Sequence, residues 1–149
     1  MGLKAGWVEF LGRWQWCWFS THTFASEVHP EAADKAFRFW VGDIVAHSYL
    51  GTNWKRKKAR QPVWVRGLEW QKRGVLHYHA LVANLPREYS ESPVREGFAS
   101  AWLGMGNTGF ARVDSCNGSD GVLSYLAKYT AKGGDVDISS NLVERARML

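Results

Sequence analysis

The sequence predicts an α+β fold, an antiparallel sheet with helices packed on it. Three observations predict it. Pro62–Trp70 and Val75–Val82 are two strand-like runs joined by a loop short enough for a hairpin. Trp14–Phe24 is a third, rich in aromatic residues. Between Pro30 and Tyr49, apolar residues recur at helical spacing and offer a helix to cover the sheet.

The chain of 149 residues is long enough for one domain with a real core and too short for two ordinary ones. We expect a single domain over 1–149, with its core at about 14–132 and with 1–12 and 135–149 as a peripheral arm and tail. The net charge of +5 favours an anionic partner, nucleic acid before membrane. Cys17 and Cys116 stand alone, which argues against a structural zinc site and a disulfide framework. A reducing cytosol is the expected compartment. No apolar run reaches membrane-spanning length, and Glu9 and Arg13 interrupt the apolar stretch that a signal peptide would need.

Taken in order, Trp7, Val8, Phe10 and Leu11 suit a short helix or an arm packed on the domain. Trp14–Phe24 starts apolar on both faces, as a central strand does, and turns polar at Thr21, His22 and Thr23. A strand end of that kind often presents its polar groups to a site. His29-Pro30-Glu31 has the layout of a helix start. Ala33, Phe37, Trp40, Val41, Ile44, Val45 and Tyr49 then form an amphipathic stripe that stops near Gly51. Trp54-Lys55-Arg56-Lys57-Lys58-Ala59-Arg60 is a basic run, read as either a solvated loop or a phosphate-contacting arm, with the latter preferred. A second helix is predicted at about Pro93–Trp102 and a further strand at Phe110–Asp114. Gly104-Met105-Gly106-Asn107-Thr108-Gly109 matches Gly-x-Gly-x-x-Gly but follows a helix and precedes a strand. It is therefore a connection and no dinucleotide site. No nucleotide-driven motor motif occurs in the sequence.

The hairpin carries the first chemistry. In Val75-Leu76-His77-Tyr78-His79-Ala80-Leu81-Val82, the strand period of two puts His77 and His79 on one face. A three-residue loop, Lys72-Arg73-Gly74, with Gly74 in the left-handed conformation, sets Glu69 opposite His77 and Gly67 opposite His79. Glu69, His77 and His79 then share a face, and Gly67 leaves room over the second imidazole. One carboxylate and two imidazoles with open positions suit Mg²⁺ or Mn²⁺. A two-residue turn would slip the register and send Glu69 to the other face.

The second chemistry lies on a helix predicted over Gly121–Lys132, capped by Asn117-Gly118-Ser119-Asp120 and ended by Gly133-Gly134. Tyr125, Lys128 and Tyr129 occupy adjoining parts of one face. A tyrosine phenol can attack a phosphodiester and form a covalent phosphotyrosine, provided a metal and a lysine neutralise the phosphate. Two tyrosines at this spacing could act in turn. Taken alone, helix tyrosines more often pack in cores.

Together these blocks resemble the HUH endonuclease superfamily, in particular the catalytic domains of rolling-circle replication initiator (Rep) proteins of the two-tyrosine type. Phe19-Ser20-Thr21-His22-Thr23-Phe24 is similar to the first Rep motif, although His22 is unusual there. His77-Tyr78-His79 resembles the His-hydrophobic-His motif, with Glu69 where many relatives keep an acidic ligand. Tyr125-Leu126-Ala127-Lys128-Tyr129 resembles the nucleophile motif. The resemblance spans about residues 16–132. It implies a five-stranded sheet of the RNA-recognition-motif type with the His pair on a central strand. It implies metal-dependent nicking and joining of single-stranded DNA at a replication origin, leaving a 5′-phosphotyrosine and a free 3′-OH. Lys55, Arg56, Lys57, Lys58, Arg60, Lys72 and Arg73 would contact the DNA. Single-stranded origin DNA is the expected partner and a host helicase a further one, in the cytoplasm of a prokaryote hosting a phage or plasmid. The alternatives are a rolling-circle type transposase with the same chemistry, a non-catalytic single-strand-binding module that uses the sheet tryptophans, and a metal-dependent hydrolase that uses water.

Overall fold

A computed structural model describes residues 9, 11–71, 74–116 and 136–142. Five antiparallel strands form one sheet in the order β4-β1-β3-β2-β5. They are β1 (Trp16–Phe24), β2 (Val63–Trp70), β3 (Leu76–Ala83), β4 (Thr108–Ser115) and β5 (Val136–Ile138). The histidine strand β3 is central. The fifth strand comes from a stretch expected to be peripheral, and its edge position is consistent with its short length.

The helices pack on one face of the sheet. α1 (Pro30–Phe39) starts at His29, whose Nδ1 accepts the Glu31 backbone N–H at 3.1 Å. It continues through a π-helical stretch (Trp40–Ala46) into α2 (His47–Leu50). The predicted stripe is therefore real, but its middle turn is widened. A β-carbon at Gly42, in that turn, would collide with the Trp54 ring, so only glycine admits the indole there. α3 (Ser92–Leu103) covers the β4 side. Trp18, Phe37, Trp40, Trp64, Tyr78 and Trp102 build the core beneath these helices. Trp16, Trp18, Trp40, Trp64 and Trp102 are all at most 4% exposed. They cannot stack on bases, which removes most of the tryptophan platform that a binding module would use.

Trp16 and Trp18 lie two apart yet pack on opposite faces. The register slips between them, Trp16 pairing with Ala83 and Trp18 with Val82, so Cys17 is the extra residue of a bulge. A smaller cluster on the second face contains Leu11, Trp16, Val63, Val65, Leu81 and Leu142. It fills the end of that face away from the hairpin tip. Polar residues occupy the other end.

An ion cluster fastens β5. Arg66 is 6% exposed and lies against the rings of Phe37, Trp64 and Tyr78. It bonds Asp34 of α1 at 2.8 Å and Asp137 of β5 at 3.5 Å, and Arg38 bonds Asp137 at 2.7 Å. Burial pushes the Asp34 carboxyl up, but hydrogen bonds from Arg66 and Arg38 outweigh it and hold the group below its ordinary value.

Candidate active site

The hairpin takes the expected register. Glu69 pairs with His77, and Gly67 with His79. Gln71 donates its backbone N–H to Val75 O at 2.9 Å, Gly74 donates to Gln71 O at 3.0 Å, and Gly74 has φ +72°. Glu69, His77 and His79 consequently share the face opposite the helices. Lys72 and Arg73, assigned to DNA contact, lie outside the described residues.

Glu69 Oε2 meets His79 Nε2 at 2.8 Å. The other nitrogen of His79, Nδ1, lies 3.3 Å from Thr21 Oγ1 on the adjacent strand. The Phe19 ring stacks on the imidazole, centroids 6.2 Å apart and 13° from parallel. His79 is thus held by a neighbour at each nitrogen and by an aromatic plane. A partner on Nδ1 is what orients an imidazole so that Nε2 serves the ligand. His77 is more open. Its Nδ1 lies 3.2 Å from Gln71 Nε2, which therefore donates to it. Burial, then the neighbouring His79, hold the His77 pKa below its usual value against the opposing pull of Glu69, which favours the neutral, metal-binding form.

The donor types fit a divalent ion: two imidazoles and a carboxylate on a face that is polar at this end. Glu69 and His79 are brought together, whereas His77 is tied to Gln71. Among the described residues, no three His, Cys, Asp or Glu side chains converge as they stand on one point.

The first motif divides between the faces. Thr21 reaches the site, and Thr23 Oγ1 is spent on Phe110 O at 2.7 Å. His22, expected among the polar groups of the strand end, is instead fully buried beneath the helices. The period of two sends it inward, between the edges of Phe37, Trp40 and Trp102. Its Nε2 meets Ser20 Oγ at 2.8 Å and its Nδ1 has no partner among the described residues. Burial drives its pKa down to about 3. Sequence reasoning missed Gln71 as a contact of His77. It named Thr21 without the contact to His79. The signal was available for Thr21 in the alternation of β1, whose Thr21 pairs directly with His79.

The basic run forms two short 3₁₀ turns, Trp54–Arg56 and Lys58–Arg60. Tyr49 OH donates to Arg60 O at 2.7 Å, and Asn84 Nδ2 to Ala59 O at 3.1 Å, so the backbone is pinned while the cations are exposed. Lys57 differs, since its Nζ is bonded to Leu50 O at 2.8 Å. The run precedes β2 and Glu69 lies toward its far end. Six residues of strand put about 20 Å between them.

Tyr125, Lys128 and Tyr129 lie outside the described residues. The strands that flank them in sequence, β4 and β5, occupy opposite edges of the sheet with the histidine strand between. No helix among the described residues is long and apolar enough to cross a membrane.

A family model described as replication-associated protein ORF2/G2P matches residues 17–134. Comparison with curated proteins and with solved structures gave no match.

Proposed function

The chain belongs to the replication-associated protein ORF2/G2P family, and on that footing we propose that it is a single-stranded DNA nicking and strand-transfer enzyme of the two-tyrosine HUH type that initiates rolling-circle replication. The observation that carries the reading is the Glu69–His79 contact, beside His77, at the polar end of a face whose other end is closed by apolar packing.

In this reading the Tyr125 oxygen attacks the scissile phosphorus. The phenol gives up its proton, the P–O3′ bond breaks, the 3′ oxygen takes up a proton and leaves as a hydroxyl, and the 5′ side stays on the enzyme as phosphotyrosine. Lys128 holds the phosphate or steadies the departing oxygen. Tyr129 accepts the strand in a second transfer. Glu69, His77 and His79 would hold a Mg²⁺ or Mn²⁺ ion, whose contribution when bound is to neutralise the phosphate charge. Thr21 keeps the His79 ring oriented, and Gln71 contacts the His77 ring that would be the third ligand. The cations of the basic run hold the strand by its phosphates.

Incubation with single-stranded DNA pools and Mn²⁺, followed by sequencing of covalently trapped fragments, tests the reading. A protein-linked 5′ end supports it. Cleavage that leaves no adduct would indicate a hydrolase using water. Binding without cleavage would leave a binding module.

A further inference from the structure

At the start of β2, two cavities of about 240 and 290 Å³ share Trp54, Gln61, Ser140 and Asn141 in their walls. They lie at the opposite end of the strand from Glu69. Asn141 is 8% exposed, and its Nδ2 donates to Pro62 O at 3.0 Å. Since a carbonyl can only accept, that bond fixes which end of the amide is nitrogen. The other end, Oδ1, is buried and has no partner among the described residues. A buried acceptor without a donor carries a desolvation cost that a ligand's N–H would relieve.

The surroundings define the ligand. Trp54 presents a half-buried indole with Lys55 Nζ 5.6 Å from its ring centroid. Lys55 and Lys58 line the second cavity. Arg38, in the first, is already paired with Asp34 and Asp137, so the surplus positive charge sits with the lysines. Gln61 spends its Nε2 on Trp54 O and Lys55 O, and so shapes the wall. Both volumes fall below the roughly 300–1,000 Å³ of drug-sized pockets, which suits one planar ring system.

We propose that this is a nucleobase pocket. An unstacked base with an exocyclic amine, adenine, cytosine or guanine, enters from a single strand and donates that amine to Asn141 Oδ1. Its ring lies against Trp54, and the flanking phosphates meet Lys55 and Lys58. Thymine has no exocyclic amine and binds more weakly. The proposal rests on the single-strand reading above and adds to it a base contact remote from the cut.

The test measures fluorescence anisotropy of labelled oligo(dA), oligo(dC) and oligo(dT), in chelator, on a His77→Ala/His79→Ala protein that cannot nick. Oligo(dA) and oligo(dC) should bind about tenfold tighter than oligo(dT), and Asn141→Leu should erase the difference. Lys58→Gln should weaken all three alike. Because Asn141→Leu also loses the tie to Pro62, ultraviolet cross-linking of oligo(dC) to the wild-type chain provides a second measurement, with the adduct expected on the peptide containing Trp54. Equal affinities for the three oligomers, a preference that survives Asn141→Leu, or no cross-link at Trp54 would each overturn the proposal. A base preference in a wild-type protein that forms no covalent adduct would sink the nicking reading and leave the pocket standing. An adduct without a preference would do the reverse.

Discussion

Glu69 bonds diagonally to His79, at 2.8 Å, and not to His77 directly across the strand pair. Diagonal partners on a sheet are farther apart than opposed ones, so a carboxylate needs its full length and a clear path to make this contact. Gly67, opposite His79, has no side chain to compete for that space. Gly67→Val should therefore displace the His79 ring and, since Gly67 is buried, lower the melting temperature. Measured well below that melt, nicking should fall by about a hundredfold, as for a misplaced catalytic group, with the far-ultraviolet circular-dichroism spectrum retained. Normal nicking by this variant would show that the diagonal contact has no role in the chemistry.

His77→Ala and His79→Ala should each abolish nicking at saturating Mn²⁺ and leave single-strand affinity almost intact. Chelator should do the same to the wild-type protein, and added Mg²⁺ or Mn²⁺ should restore it. Either variant nicking at the wild-type rate would remove these residues from the site.

Thr21→Val keeps the shape and removes the hydroxyl that meets His79 Nδ1. Partners of this kind are generally worth about 10–100-fold in metal affinity or activity. Titration of Mn²⁺ against nicking rate should show the midpoint moving to higher metal by that order, with Thr21→Ser close to wild type. An unmoved midpoint would leave Thr21 a purely structural residue.

Tyr125 stands three residues before Lys128, so it should make the first cut. Tyr125→Phe should eliminate the covalent adduct, while Tyr129→Phe should still form it and at most impair joining. Mass spectrometry of the trapped peptide reads this directly. Phosphotyrosine at Tyr129 alone would reverse the assignment.

His22 gives a pH signature separate from catalysis. Its folded pKa is depressed to about 3 from an ordinary 6.5. Between those values the unfolded chain binds the proton and the folded chain does not. The stabilisation is therefore complete above pH 6.5 and declines as pH falls toward 3, at about 1.4 kcal/mol per pH unit within the window. His77 is depressed too and contributes in the same direction. Urea unfolding of wild type and His22→Leu between pH 4.5 and 7 isolates the buried ring, and the variant's stability should be the flatter of the two. Parallel curves would mean that the ring titrates normally.

Much of the fold was legible because period and punctuation agreed. The hairpin followed from Gly74 and two alternating runs, and with it came the shared face of Glu69, His77 and His79. The helix from Pro30 followed from its stripe and its start. What was hidden depended on partners distant in sequence. The π-helical turn answers Trp54, which packs where Gly42 has no side chain. The bulge at Cys17 lets two tryptophans serve opposite faces, which a strict alternation forbids. Arg66 lies in the strand-like run Pro62–Trp70 with nothing nearby in sequence to mark its partners, and it is caged by three rings and paired with two carboxylates. Gln71 could not be tied to His77, because it sits at the hairpin's end where side-chain direction is set by the turn.

The position of β5 has a kinetic consequence. It is three residues long, at the edge of the sheet, and among the described residues it pairs only with β2. Edge strands of that size exchange their amide hydrogens through local opening, whereas a strand hydrogen-bonded on both sides, as β3 is, waits for something close to global unfolding. The hydrogens of His79, Ala80 and Leu81, paired on both sides, should then rank among the slowest in the molecule and those of Val136–Ile138 among the fastest of the sheet. The protein can therefore release and recapture the return of its chain many times over without the histidine frame ever losing its register.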